Sequence, residues 1–176
     1  MIRKGFNKQL AFNIAVFIIL AGAVTGIWWA KNRNAKNEVP ITETNASMSV
    51  EGGLDLSELT SYGVPVIIKF GATWCGPCQA FAPILEEVHA EMQGKVIIKD
   101  VDIDQHGDIT RQFPVSVVPT MVLIDSEGKP YTPEEPNRLL KYFTHKDTGE
   151  HVYTTMEGVL NKEQLIALLA DMDISQ

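Results

Sequence analysis

Trp74-Cys75-Gly76-Pro77-Cys78 is the stretch on which the fold of this chain turns. It carries the two cysteines of a 176-residue sequence. A pair separated by two residues can open and close as one disulfide. No third thiol is present to staple the fold or complete a four-cysteine metal site. A disulfide across so short a gap constrains little of the chain, which argues against a structural role. A zinc site would need ligands from His89, His106, His145 or His151.

The flanking sequence alternates between strand-like and helix-like runs. Val64 to Phe70 is apolar and rich in β-branched residues, as a buried strand requires. Cys75 to Met92 has Phe81, Ile84, Leu85 and Val88 at helical spacing, with a kink expected at Pro83. Val96 to Ile103 and Thr120 to Ile124 predict two further strands. Asp55 to Ser61 and Asp108 to Phe113 predict short helices. Asn161 to Met172 predicts a last helix, with Asn161 as its cap and Gln164 reaching back. Such an order implies an α/β fold: a mixed sheet with helices on both faces.

The chain from about Leu54 to Met172 resembles the thioredoxin superfamily. The resemblance rests on Val66-Ile67-Ile68-Lys69-Phe70, on Ala72 to Cys78, on Ala82-Pro83 and on Val101-Asp102-Ile103-Asp104. Val117-Val118-Pro119-Thr120 and Gly158 complete it. It implies a thioredoxin fold with a cis peptide before Pro119, packed beside the dithiol. It also implies a docking surface for disulfide-bearing proteins, made by Trp74, Gly76, Pro77, Val117, Val118, Pro119 and Gly158. No cofactor or metal beyond the cysteine pair is expected.

Cys75 stands where a helix begins, so free N–H groups and the helix dipole favour its thiolate. Cys78 lies one turn further in. Cys75 is the expected attacking thiol and Cys78 the resolving one. Pro77 can open the helix without wasting a donor. The Gly-Pro pair between the cysteines resembles that of reducing thioredoxins, which favours a protein-disulfide reductase over an oxidase or isomerase. A binding or chaperone-like module would not need the intact dithiol.

One departure stands out. Thioredoxins carry an aspartate behind the dithiol where this chain has Lys69, and a facing lysine where it has Asp100. The resemblance thus implies an exchanged ion pair, with Asp100 as proton acceptor for Cys78 and Lys69 holding it ionised. Alternatively, Lys69 threads its stem along apolar surface and puts its amine in water.

Between Ile124 and Gly158 the chain is roughly 20 residues longer than a minimal thioredoxin, more than a usual connection. Residues 126–157 are assigned to this insertion. Pro130, Pro133 and Pro136 make its first half irregular. Lys141 to His145 and His151 to Thr155 flank Asp147-Thr148-Gly149 and predict a hairpin before the last helix. A three-residue loop would set Phe143 opposite Tyr153 and His145 opposite His151. The histidines are read as exposed polar residues rather than a metal pair.

The N-terminus has a basic tail (1–9), then an uncharged run from Leu10 to Ala30 ending in Trp28-Trp29-Ala30. These 21 residues would span roughly 31 Å as a helix, the thickness of a bilayer core. They are read as a transmembrane anchor rather than a cleaved signal, and residues 31–53 as a linker to the body at 54–176. Basic residues are balanced across the span: Arg3, Lys4 and Lys8 before it, Lys31, Arg33 and Lys36 after it. The preferred topology is an extracytoplasmic body fed by a transmembrane electron donor. The net charge of -7 argues against nucleic acid as a partner.

Overall fold

The computed structural model describes residues 47–50 and 52–174. The apolar run at 10–30, its basic tail and most of the linker lie outside the described residues. Among the described residues no helix is long and apolar enough to cross a membrane.

The elements run α1 (Leu56–Ser61), β1 (Val66–Gly71), α2 (Gly76–Glu91), β2 (Ile97–Asp102), α3 (Gly107–Thr110), β3 (Thr120–Ile124), β4 (Leu140–Thr144), β5 (His151–Glu157) and α4 (Lys162–Ile174). The five strands form one mixed sheet in the order β2-β1-β3-β5-β4. β1 and β2 are parallel and the other pairs antiparallel. Two apolar clusters lie on its two faces. Phe81, Leu85 and Val88 of α2 and Leu165, Leu169 and Met172 of α4 pack with Ile67, Ile98 and Met121. Leu59 and Ile109, from α1 and α3, pack with Ile68, Phe70 and Val122. The alternation Ile67 to one side and Ile68 to the other is the period-two rule of a strand buried on both faces.

Local chemistry explains the element ends. Asp55 caps α1, its carboxylate accepting from the N–H groups of Ser57 at 2.9 Å and Glu58 at 3.2 Å. The Ser57 hydroxyl donates to the same carboxylate; these bonds hold it below its ordinary range, the hydroxyl contributing most. The reciprocal cap expected at α4 is present: Gln164 N–H donates to Asn161 Oδ1 at 2.8 Å, and Asn161 N–H to Gln164 Oε1 at 3.0 Å. α2 continues through Pro83. Glu87 is exposed and accepts from Lys162 at 2.7 Å, linking α2 to α4.

The segment 126–157 divides in two. β5 belongs to the central sheet, with Thr120 opposite Glu157 and Leu123 opposite Thr154. β4 is the added piece, an edge strand on the outer side of β5. Phe143 faces Tyr153 as the hairpin predicts, but His145 does not face His151. A register shift after Phe143 sets His151 opposite Thr144, while His145 N–H donates to the Glu150 carbonyl. The connection is longer than three residues: Gly149, at φ 71°, returns its N–H to the His145 carbonyl. His151 Nε2 lies 2.9 Å from Thr154 Oγ1 and 3.0 Å from the Tyr153 carbonyl, which hold it to its own strand. Among the described residues no three His, Cys, Asp or Glu side chains are grouped to hold a metal ion.

Candidate active site

β1 delivers the chain to the site, and α2 begins there. Cys75 is the N-cap of α2: its sulfur accepts from the Cys78 N–H at 3.2 Å, with Pro77 in the first turn. Cys75 and Cys78 are joined as a disulfide, and both residues are buried. The helix start supplies free N–H groups where a Cys75 thiolate forms on reduction.

The residues expected to dock substrate surround Cys75. The Val118–Pro119 peptide is cis, and the Val118 carbonyl oxygen lies 3.7 Å from Cys75 Sγ. Gly158, at φ 93°, donates its N–H to the Pro119 carbonyl at 2.9 Å, which fixes the loop before α4 against this turn. Thr120 Oγ1 donates to the Val117 carbonyl at 2.8 Å. Gly76 and Pro77 are exposed beside the cysteines. Trp74 is 66% exposed and Val117 50%, large apolar groups left open to solvent around a reactive bond.

Two residues the sequence reading passed over complete this face. Val159 is 50% exposed, next to Gly158. Asp104 accepts from the Trp74 indole N–H at 2.7 Å and so fixes the exposed ring. Asp104 lies in the Val101-Asp102-Ile103-Asp104 run that helped carry the family resemblance. Only the three-dimensional contact shows what its carboxylate does.

Behind the disulfide, Lys69 and Asp100 meet. They are opposite in the parallel register of β1 and β2, so both side chains leave the sheet on the side of α2. Lys69 Nζ lies 2.9 and 3.0 Å from the two Asp100 carboxylate oxygens. The lysine side chain is 6% exposed and the aspartate 32%. The alternative in which the amine snorkels to water does not occur. An ammonium buried this way requires its partner: losing one half of such a pair costs about 3–5 kcal/mol.

A redox disulfide at a helix N-terminus, faced by a cis-proline turn on a mixed sheet, defines a thioredoxin-fold thiol–disulfide site. The comparisons agree. The family profile for thioredoxin matches residues 56–145, and the chain belongs to the thioredoxin family. It is 36% identical over 104 residues to the bifunctional thioredoxin reductase/thioredoxin of Mycobacterium leprae, covering 58% of this chain and 21% of that one. It is 38% identical over 81 residues to the mitochondrial thioredoxin of Rattus norvegicus, 46% of this chain and 49% of the other. With the thioredoxin of Mycobacterium tuberculosis it shares 34% identity over 89 residues, 51% of this chain and 76% of that protein. The match thus spans about a fifth of the first relative and about half of the second. Among solved structures, chloroplastic thioredoxin z aligns with TM-score 0.49 and 26% identity, over 70% of this chain and 91% of that one.

Proposed function

We propose that this chain reduces disulfides in other proteins, working outside the cytoplasm from a membrane tether at residues 10–30. The observation that carries the reading is the placement of Cys75. It caps a helix, adjoins the Val118 carbonyl and lies among the exposed Trp74, Val117 and Val159. An extended substrate segment can lie along that turn with its disulfide at Cys75.

The reaction follows from the two positions. In the reduced protein the Cys75 thiolate attacks one sulfur of the substrate disulfide; that bond breaks and the other substrate sulfur leaves as a thiolate. The Cys78 thiolate then attacks Cys75, forming the intramolecular disulfide and releasing the second substrate thiolate. Two electrons pass from the dithiol to the substrate. The Gly76-Pro77 pair favours this direction over net oxidation. Turnover then needs a supply of reducing equivalents, which outside the cytoplasm means a carrier in the membrane.

The tether rests on 21 uncharged residues between basic flanks, followed by a polar linker. Two measurements test the proposal. With dithiothreitol as recycling reductant, the chain accelerates insulin disulfide reduction and Cys75→Ser does not; acceleration that survives Cys75→Ser overturns the mechanism. Alkaline extraction leaves the full chain in the membrane pellet; recovery in the supernatant overturns the tether.

A further inference from the structure

Gly71 ends β1 directly beside the disulfide. A methyl group on its Cα would stand 2.5 Å from Lys69 Nζ and 3.4 Å from Cys78 Sγ. Ammonium and sulfur therefore flank one point, no farther apart than those two distances laid end to end. Only a residue without a side chain leaves that point to the lysine. Lys69 and Gly71 are two apart on one strand and face the same side, towards α2. Asp100 pins the ammonium there through both carboxylate oxygens.

A cleft of about 490 Å³ opens behind the disulfide and is lined by Lys69, Gly71, Cys78 and Asp100. The other titratable groups on its walls are Asp102 from β2, Glu86 from α2 and His106 ahead of α3. Cys75 turns the other way, towards Val118. A cation within about 4–6 Å of an acidic group favours its ionised form, commonly by 1–3 pH units. Of the charged groups on the cleft, it is the Lys69 ammonium that stands with Cys78 at the Gly71 gap.

We infer that Lys69 is the electrostatic partner of Cys78. It holds the resolving sulfur as a thiolate for its attack, and Gly71 and Asp100 position the ammonium to do so. The inference rests on the exchange reaction proposed above and concerns its second half. With Cys75 bound to a substrate sulfur, the Cys78 thiol loses its proton into the cleft, where Asp100 is the acceptor that the resemblance implies. The thiolate attacks Cys75 Sγ; the Cys75–Cys78 bond forms, the Cys75–substrate bond breaks, and the substrate departs as a thiolate carrying the electron pair.

The test is the titration of Cys78 in the full-length chain with Cys75→Ser, read as thiolate absorbance near 240 nm. Adding Lys69→Met should move the titration up by about one pH unit or more, and Lys69→Arg should bring it back towards the parent. Gly71→Ala is the independent probe. It keeps both charges, and the atoms its methyl crowds below 3 Å are the far end of the lysine, with Cys78 Sγ at 3.4 Å, so it is the ammonium that must move. It should shift the titration in the same direction. A Cys78 titration unmoved by Gly71→Ala, with near-ultraviolet circular dichroism unchanged, overturns the inference, whether or not Lys69→Met folds. Insulin reduction by the unaltered chain is read separately. If it is absent while the titration still shifts, the proposed activity fails and the Lys69–Cys78 coupling stands.

Discussion

The two sides of the disulfide are built from different materials. The Cys75 side is apolar and open: Trp74, Val117 and Val159 stand in solvent around the backbone of Val118. The Cys78 side is charged and recessed, with a buried lysine, a partly exposed aspartate and a cleft behind them. Docking a partner backbone requires the first kind of surface; adjusting the ionisation of a sulfur requires the second. The contrast also divides what this chain shares from what it changes. The cysteines, the Val118–Pro119 turn and Gly158 are among the residues that carry the thioredoxin resemblance, whereas Lys69 and Asp100 bear charges opposite to those the resemblance implies.

The comparison breaks most completely at the cysteines themselves. Cys75→Ser should take disulfide reduction to background. Cys78→Ser should leave the first attack intact and accumulate a covalent mixed disulfide, seen as a mass increase that dithiothreitol removes. If both variants behave alike, the two sides are not functionally distinct.

Next in size is the ion pair. Asp100→Asn leaves the buried ammonium without its partner and should lower unfolding stability by about 3 kcal/mol in urea titration. Lys69→Met combined with Asp100→Asn should cost less than Asp100→Asn alone, because no buried charge is then unpaired. A double variant as unstable as the sum of the singles would mean that the pair is not coupled.

On the open side, Val117→Asp should raise KM for a protein disulfide about tenfold, equivalent to ~1.4 kcal/mol, while reduction of a small-molecule disulfide changes little. Equal losses on both substrates would show that Val117 does not form a docking surface.

A smaller effect belongs to Tyr131, away from both sides. Burial first, and then its contact with Asp171, push its phenol upward from the ordinary 10.0. The folded state thus holds this proton more tightly than the unfolded one. Its contribution is complete below pH 10 and is lost as pH rises above that value. Tyr131→Phe should flatten the alkaline fall in stability; an unchanged slope would place its origin elsewhere.

Much of this was legible in the sequence where a local rule and a long-range rule agreed. Asn161 and Gln164 announced a reciprocal cap, and the fold provides it. Lys69 and Asp100, counted between motifs, fall opposite one another because parallel strands pair without slippage here. The insertion was less legible because its register depends on the loop. Phe143 and Tyr153 pair as the three-residue loop predicts, yet the shift beyond them separates His145 from His151. Pattern could not reveal that β5 serves the central sheet while β4 is the addition, since both strands alternate alike. Gly71 falls between the predicted strand Val64 to Phe70 and the motif that starts at Ala72, and no sequence signal singles it out. Its importance lies in a contact that needs coordinates: the lysine tip and the resolving sulfur meeting at its Cα.

The most direct test of the central claim is intact mass measurement of the chain after exposure to a protein disulfide. Cys78→Ser should carry one substrate polypeptide through Cys75, whereas Cys75→Ser should carry none. Substrate captured equally by Cys75→Ser, or by neither variant, would contradict attack by Cys75 and resolution by Cys78.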